Sequence, residues 1–291
     1  MFKKLKLLLI GSITNSAPLY SDGIRKRFGG GVMYGSFAAI DLGIDTRVIT
    51  IGAKDIEPAV DQLRHLGIDA SRLSRRTSNN FANDYTTKQR KLQMSSFIDK
   101  PITKDEMSGF DLAVDGVVLN PLYHEISADI IALFPKKTVI MLDIQGLTRR
   151  IGQRNDKGYY PVFQTGWKNI GDFSGKIDIL KSSDDDIRGT KIKNALNNHG
   201  FPLVVLTRGK KTTRIFQTDQ RSVSIPVYKV AVRDTAGAGD YFGIAYLSYY
   251  LVSKDPIASC RFANAVSSLK VEGKAITLSE AKRRMEFISS I

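Results

Sequence analysis

The seven residues 234–240, Asp-Thr-Ala-Gly-Ala-Gly-Asp, constrain the fold of this chain more than any other stretch. Small residues lie between two carboxylates, and an apolar run with helical spacing follows directly, which predicts a tight turn at the N-terminus of a helix. The first N–H groups of a helix have no partner within it and lie at the positive end of its dipole, so they suit a phosphate or a developing oxyanion. We therefore expect the backbone of Gly237, Ala238 and Gly239 to bind an anion.

Asp240 is the candidate catalytic residue of this run. A carboxylate at the mouth of an anion site can accept the proton of an attacking hydroxyl, as phosphoryl transfer requires. The alternative is a Gly-rich turn in which Asp240 is only the N-cap of the helix. The full run is far more specific than a single Gly-x-Gly, and this specificity favours the catalytic interpretation.

The run at 234–240 resembles the C-terminal signature of the ribokinase-like carbohydrate kinases, the PfkB family. Residues 28–43 resemble the N-terminal signature of that family, with paired glycines before an apolar helical run that ends at Gly43. A dinucleotide-binding fold is the weaker alternative, because it needs G-x-G-x-x-G directly after the first strand. The resemblance implies a kinase that transfers the γ-phosphoryl group of ATP to a hydroxyl of a small sugar or polyol. It also implies Asp240 as the base, Mg²⁺ on the donor phosphates, and the monovalent cation known in the family, whose ligands the sequence does not place.

Strand and helix patterns alternate along the whole chain, without internal repeats or a Pro-rich linker. This alternation predicts one α/β domain over residues 1–291, with a doubly wound, mostly parallel sheet flanked by helices. Residues 79–102 alternate apolar and polar positions, which indicates exposed antiparallel strands. By resemblance, these strands and the turn near 11–22 form a small β-lid over the substrate; an ordinary surface hairpin is the alternative.

The resemblance also implies an acceptor pocket, whose candidate residues are Asn15, Gly30, Gly31, Tyr34, Gln145 and Arg149. Tyr34 stands where many members of the family have Asn, and Ser16 where many have Asp, which argues against a typical ribose or fructose site. Two short motifs resemble those of the family branch that includes myo-inositol kinases. They are Phe-x-Asn-x-Tyr at 81–85, with Arg90 after it, and Asp-x-Gln-Gly-x-x-Arg at 143–149. We therefore favour a cyclic polyol as the acceptor.

Donor and metal residues are also implied by the resemblance. Thr207 and Gly209 resemble the T-x-G on the nucleotide side, Thr235 lies in the signature run, and Asn264 lies in a segment similar to one that contacts adenine. An exposed Asn on a helix is the alternative for Asn264. Asp186 stands where the family has the Glu of an N-x-x-E motif that organises Mg²⁺, although its shorter side chain requires an extra water or a shifted backbone. An acidic helix N-terminus is the alternative for Asp186.

The net charge of +14, from 43 basic and 29 acidic residues, raises the question of a nucleic-acid partner. The basic residues come in scattered pairs and triplets, without zinc-finger spacing or an RNP-type aromatic motif, so we expect a dispersed, solvated surface that also attracts nucleotide phosphates. The chain has one cysteine, Cys260, and no apolar run long enough to cross a membrane. We therefore expect a cytoplasmic protein that does not span a membrane. The short apolar run 7–10 fits a buried strand better than a signal peptide.

The sequence therefore predicts a sugar, a polyol and a nucleotide as small-molecule partners, and the resemblance adds a homodimer formed through the lid. Two other functions stay open at this point. One is a nucleoside kinase on the same fold, and the other is a non-catalytic relative that binds nucleotides or nucleic acid. The intact Asp240 argues against the second, because a binding protein needs no base at that position.

Overall fold

The computed structural model describes residues 2, 5–86, 91–166, 170–187, 200–218 and 222–289. Its strands in chain order are β1 (Lys6–Gly11), β2 (Thr14–Ser16), β3 (Leu19–Tyr20), β4 (Gly23–Ile24), β5 (Arg27–Gly29), β6 (Asp45–Gly52), β7 (Asp69–Ser74), β8 (Asn80–Phe81), β9 (Gln93–Ser96), β10 (Gly116–Asn120), β11 (Val139–Asp143), β12 (Arg149–Ile151), β13 (Tyr160–Gln164), β14 (Ile179–Ser183), β15 (Leu203–Thr207), β16 (Thr212–Gln217) and β17 (Ser222–Pro226). Its helices, numbered over the described residues, are α1 (Gly31–Leu42), α2 (Glu57–His65), α3 (Lys104–Met107), α4 (Ala238–Ser253), α5 (Pro256–Glu272) and α6 (Leu278–Ser289).

Nine strands form the central sheet, in the order β17-β16-β15-β14-β11-β10-β1-β6-β7. Every pairing from β15 to β7 is parallel, and β16 and β17 add two antiparallel pairings at one edge. Residues 7–10 of β1 are at most 1% exposed although the strand has two faces, as expected for a parallel sheet covered on both sides. The predicted mostly parallel sheet is confirmed.

Two hydrophobic cores lie on opposite faces of this sheet. In β1, Leu7 and Leu9 belong to one core and Leu8 and Ile10 to the other, because successive side chains of a strand point to opposite faces. The first core contains the apolar residues of α1, α2, α4 and α5. The second contains α3 and several short 3₁₀ segments. Among the described residues, no helix has the length and apolar character needed to cross a membrane.

Short antiparallel strands form a separate layer beside the sheet. One small sheet has the order β12-β13-β9-β8, and the pairs β2–β5 and β3–β4 lie next to it. Backbone hydrogen bonds from the Leu19 N–H to Asn83 O (2.8 Å) and from the Tyr85 N–H to Leu19 O (2.8 Å) connect these strands. The antiparallel strands predicted within 79–102 are confirmed. The strands at 149–151 and 160–164 were not predicted, because that stretch is rich in Gly and Asn and shows little periodicity.

One segment with helical spacing does not form an α-helix. Residues 126–133 have helical spacing, but the chain forms only a 3₁₀ helix at Ala128–Leu133. Ile126 forms a β-bridge with Ile102, so the helix begins after it. Pro135 restricts Phe134 to the extended backbone that it adopts (φ −78°, ψ 142°), so the helix ends before it. Only a short segment remains between these limits, and short segments often adopt the 3₁₀ form.

The strand order reverses between β1 and β10. From β1 the chain moves outward through β6 and β7, and it then returns to the other side of β1 and continues through β10 and β11. In open α/β sheets, the crevice at the carboxyl ends of the strands at such a reversal is where ligands bind. Gly11, Asn120 and Asp143 end the three strands β1, β10 and β11, so this crevice is where the site is expected.

Tyr246 on α4 offers a test of the packing. Its side chain is 0% exposed, and its hydroxyl has no hydrogen-bond partner among the described residues. Because an unpaired buried hydroxyl is costly, we expect Tyr246→Phe to raise the free energy of unfolding by about 1 kcal/mol. Urea denaturation measures this change. Tyr250→Phe, at a half-buried position one turn later, is the matched control and should change it little; a destabilised Tyr246→Phe variant would contradict the packing.

Candidate active site

The run 234–240 forms the predicted turn at the start of α4. Gly237 adopts a left-handed backbone (φ 74°, ψ 0°), and the helix begins at Ala238. The Asp234 carboxylate stabilises the turn by accepting hydrogen bonds from the Ala236 N–H (2.9 Å) and from Lys270 Nζ (3.2 Å). Gly239 is exposed. The Ala238 N–H already donates to Thr235 O at 3.2 Å, so a bound anion would share this donor with the Thr235 carbonyl. We name residues 234–239 the anion turn.

Gly237 is required for two independent reasons. Its positive φ is a conformation that residues with a side chain rarely adopt. A Cβ at this position would also lie 2.4 Å from Cγ of Tyr34. The Tyr34 ring, on α1, therefore packs directly on the backbone of the anion turn. Burial raises the pKa of the Tyr34 hydroxyl, the Arg27 guanidinium lowers it, and the carboxylates of Asp234 and Asp240 raise it further.

A cavity of about 360 Å³ opens between the anion turn, the N-terminus of α1 and the small antiparallel strands. The predicted site residues that line it are Gly30, Gly31, Tyr34, Gln145, Arg149, Thr235, Gly237 and Asp240. Phe81, Asn83 and Tyr85 also line it, so the alternating pattern at 81–85 places its three residues on the cavity side. Asp240 is the residue at which the cavity meets α4.

A chain of hydrogen bonds holds the Asp240 carboxylate. Asn120 Nδ2 donates to Asp240 Oδ1 at 3.0 Å, and Gln145 Nε2 donates to Asn120 Oδ1 at 3.0 Å. Arg149 Nη2 donates to Gln145 Oε1 at 3.2 Å, and its Nη1 donates to Leu122 O at 2.8 Å. Gln145 and Arg149 therefore orient Asn120, and Asn120 orients Asp240. The sequence analysis did not single out Asn120; its position at the end of a buried strand was the available signal.

The paired glycines make room for this chain of hydrogen bonds. A Cβ at Gly31 would lie 2.1 Å from Nδ2 of Asn120, so only glycine allows the amide to reach Asp240. Gly30 has φ 95°, and a Cβ there would lie 2.6 Å from Ser12 O. Gly30 and Gly31 therefore pack closely against protein atoms and also line the cavity.

The surroundings of Asp240 suit a base that acts near neutral pH. Desolvation by the surrounding protein raises the pKa of its carboxyl to about 6. The Lys181 ammonium opposes this rise and the Asp143 carboxylate adds to it, while the hydrogen bond from Asn120 and the charge of Arg149 lower the pKa. A carboxyl with such a pKa is mostly ionised at pH 7 and still basic enough to take a proton.

Lys181 and Asp143 form an ion pair behind Asp240. Lys181 Nζ lies 2.5 Å from Asp143 Oδ2, and the two side chains are 6% and 4% exposed. Although burial lowers the pKa of Lys181, the carboxylates of Asp143 and Asp240 raise it above its usual value, so the ammonium is retained. Lys181 was not predicted from the sequence, in which it is only the single charged residue of β14.

Asp186 lies in a turn after β14 and is 6% exposed. Its Oδ2 accepts hydrogen bonds from the N–H (2.9 Å) and Oγ (2.5 Å) of Ser183. Burial raises the pKa of Asp186, as does the Asp143 carboxylate. In the described part of the chain, no three His, Cys, Asp or Glu side chains are grouped to hold a metal. Mg²⁺ can bind through one or two carboxylates plus substrate phosphates, so Asp186 fits as a single protein ligand.

The other predicted site residues do not line the cavity. Thr207 ends β15 and its Oγ1 donates to Ser182 O at 3.2 Å, and Gly209 follows in a turn with φ 55°. Asn264 is 5% exposed, and its amide is bonded to Thr213 Oγ1 (2.9 Å) and Pro226 O (3.2 Å). Asn15 Nδ2 donates to Asp55 O at 3.4 Å, while its neighbours in β2, Thr14 and Ser16, line the cavity. Arg90 lies outside the described residues.

Comparison with known proteins agrees with this geometry. Residues 156–283 match the family model described as pfkB family carbohydrate kinase. This stretch, less than half of the chain, is therefore similar to a PfkB carbohydrate kinase domain. Over 97 residues it is 36% identical to a fructokinase of Rhizobium leguminosarum bv. trifolii, and over 66 residues it is 39% identical to the ribokinase of Bacillus subtilis. These alignments cover 30% and 23% of this chain, and 29% and 22% of the two relatives.

Solved structures of PfkB-like proteins share the fold over nearly the whole chain. A pyrophosphate-dependent kinase of the ribokinase family, in complex with a pyrophosphate analog and myo-inositol, is similar with a TM-score of 0.75 and 21% identity, covering 98% of this chain and 100% of its own. The Arabidopsis thaliana ribokinase, in complex with ribose and ATP, is similar with a TM-score of 0.75 and 15% identity, covering 97% of this chain and 99% of its own. At these identities the comparison confirms the ribokinase-like fold.

Two glycines of the PfkB signature provide a matched test of the anion turn. Gly237→Ala places a side chain at positive φ and against Tyr34, so we expect the free energy of unfolding to fall by at least about 2 kcal/mol. Gly239→Ala is the control, because its Cβ would meet only Nζ of Lys181, at an ordinary 3.6 Å. We expect that variant to stay within about 0.5 kcal/mol of the parent. Equal stability of the two variants in chemical denaturation would show that the turn is described incorrectly.

Proposed function

We propose that this protein transfers a phosphoryl group from Mg-ATP to a hydroxyl of a small sugar or polyol, with a cyclic polyol of the myo-inositol type as the favoured acceptor. The observation that carries the proposal is the position of Asp240. Its carboxylate stands where the cavity meets the anion turn and is oriented by Asn120 (3.0 Å). A base, an acceptor pocket and an anion site therefore adjoin at one residue, as a phosphotransferase requires.

The chemistry follows from this arrangement. The acceptor hydroxyl lies in the cavity and attacks the γ-phosphorus, the bond from phosphorus to the leaving ADP oxygen breaks, and Asp240 takes the hydroxyl proton. The exposed backbone of the anion turn and the dipole of α4 stabilise the charge that develops on the phosphoryl oxygens. Asp186 would be the one protein ligand of Mg²⁺, which would supply positive charge to the donor phosphates.

Phe81 and Tyr85 support a ring-shaped polyol as the acceptor. Both line the cavity, together with Asn83, so two aromatic side chains and a polar amide lie on one wall. Gln145 and Arg149 supply polar groups near Asp240. A volume of about 360 Å³ is at the lower end of small-molecule pockets and is sufficient for a single sugar-sized ring. The kinase whose structure contains myo-inositol shares this fold.

An assay of the acceptor and the donor tests this function. The purified protein is incubated with Mg-ATP or Mg-pyrophosphate and with myo-inositol, ribose, fructose, 2-keto-3-deoxygluconate or a nucleoside, and phosphorylated acceptor is measured directly. Pyrophosphate is included because a protein of the same fold is named for it. We expect turnover with myo-inositol or a related ring polyol. Turnover with nucleosides alone would replace the polyol proposal, and no turnover with any pair would contradict the kinase proposal.

Asp240→Asn is expected to lower kcat by about 10²- to 10⁴-fold, because the amide cannot take the acceptor proton. Donor affinity should be nearly unchanged, since the anion turn is intact, and calorimetric titration with Mg-ATP measures it. The matched control is Asp234→Asn in the same run, where an amide oxygen can still accept the bond from the Ala236 N–H. Its kcat should fall by less than about tenfold. A fully active Asp240→Asn variant would remove Asp240 from the role of base.

The pH dependence of kcat/KM provides a second test. The pKa of Asp240 is raised from its usual value to about 6, so the base form is present above that pH and is lost as the pH falls through it. We expect kcat/KM to decrease by about tenfold per pH unit below about 6. A profile that stays flat down to pH 4.5 would mean that no group of this pKa takes part.

A further inference from the structure

We propose that Lys181 is a positioning residue for the reaction: its buried ammonium keeps the Asp240 carboxylate in the ionised form that accepts a proton, and Asp143 is its counter-charge. This inference rests on the base role proposed above for Asp240. It concerns two residues that approach the site from behind the cavity wall and do not contact the acceptor.

The Lys181 side chain packs along two glycines of α4. A Cβ at Gly243 would lie 3.5 Å from Cδ of Lys181, and a Cβ at Gly239 would lie 3.6 Å from its Nζ. Residues four apart lie on the same face of a helix, so the lysine chain runs along this face towards the N-terminus of α4. The ammonium therefore lies directly beneath the first turn of the helix that carries Asp240.

A cation at this point is unfavourable unless something compensates for it. The N-terminus of a helix is the positive end of its dipole, and a buried ammonium also loses its hydration. Buried ion pairs add little net stability compared with apolar residues of similar size, so the Lys181–Asp143 pair is poorly explained as a stabilising element. The Lys181 ammonium lies near Asp240, and an opposite charge at short range favours the ionised form of a carboxylate.

The two side chains and Asp240 share a common space. A cavity of about 10 Å³ lies behind the carboxylate, and its polar wall is formed by Asn120, Asp143, Lys181 and Asp240. This volume is that of a single water-sized sphere, so Lys181 and Asp240 border the same small space. An opposite charge this close to a buried carboxylate favours its ionised form.

The charged and polar groups around Asp240 come from five elements: Lys181 from β14, Asp143 from the end of β11, Asn120 from the end of β10, Arg149 from β12 and Tyr34 from α1. Only two of these carry positive charge. The Arg149 guanidinium is bonded to Leu122 O and Gln145 Oε1 and acts on Asp240 more weakly than Lys181 does. Lys181 is therefore the main positive charge that opposes the desolvation of Asp240.

The test uses Lys181→Met, which keeps the length of the side chain without its charge. The pKa of Asp240 is measured by NMR titration of the intact protein with ¹³C-labelled aspartate, without donor or metal, and the Asp240 signal is assigned by its loss in Asp240→Asn. We expect the titration midpoint to move upward from about 6 by about one unit, and the acidic limb of kcat/KM to move with it. A thermal melt of each variant records its stability.

The double variant Lys181→Met/Asp143→Asn is used if Lys181→Met does not fold. It removes both charges of the buried ion pair, so neither is left without its partner. Since Lys181 lowers the pKa of Asp240 more than Asp143 raises it, the double variant should also titrate above the parent. An Asp240 midpoint that stays within about 0.3 units of the parent would overturn the proposal, even if activity or stability falls. The NMR readout needs no turnover, so a protein that is inactive with every acceptor would refute the kinase function while leaving this inference separately testable.

Discussion

The hydrogen bond from Asn120 to Asp240 is the interaction on which the rest of the site depends. It joins the end of a central strand to the first turn of a helix 120 residues later. It can form only because Gly31 has no side chain to occupy the space of the amide. Gln145 and Arg149 then fix the amide from the other side. One contact thus determines where the carboxylate, the cavity and the anion turn lie relative to one another.

The topology of the sheet makes this contact possible. The order of strands reverses between β1 and β10, which leaves a crevice at their carboxyl ends. Both signature segments begin helices beside this crevice, α1 at Gly31 and α4 at Ala238. The fold therefore brings the paired glycines before α1 and the turn at 234–240 together from distant parts of the chain, and the antiparallel strands add the outer wall of the cavity.

Local patterns were sufficient to predict the mostly parallel sheet and the turn at 234–240, because strand and turn patterns depend on residues adjacent in the sequence. The partners of Asp240 could not be predicted in this way. Asn120 and Lys181 reach it across the fold, and neither stands in a pattern that points to it. For Asn264 the sequence offered an adenine contact or an exposed helix position, yet Thr213 on β16 and Pro226 on β17 engage both ends of its amide.

The most direct test compares the pH midpoint of the reaction rate with the pH midpoint of Asp240 ionisation in the same protein. The rate of a single phosphoryl transfer to the acceptor is followed by rapid quench across pH, and the ionisation of Asp240 is followed by NMR in the presence of the acceptor alone. If Asp240 is the base, both should change at the same pH, near 6. A rate that changes more than about one pH unit away from the ionisation of Asp240 would show that another group takes the proton.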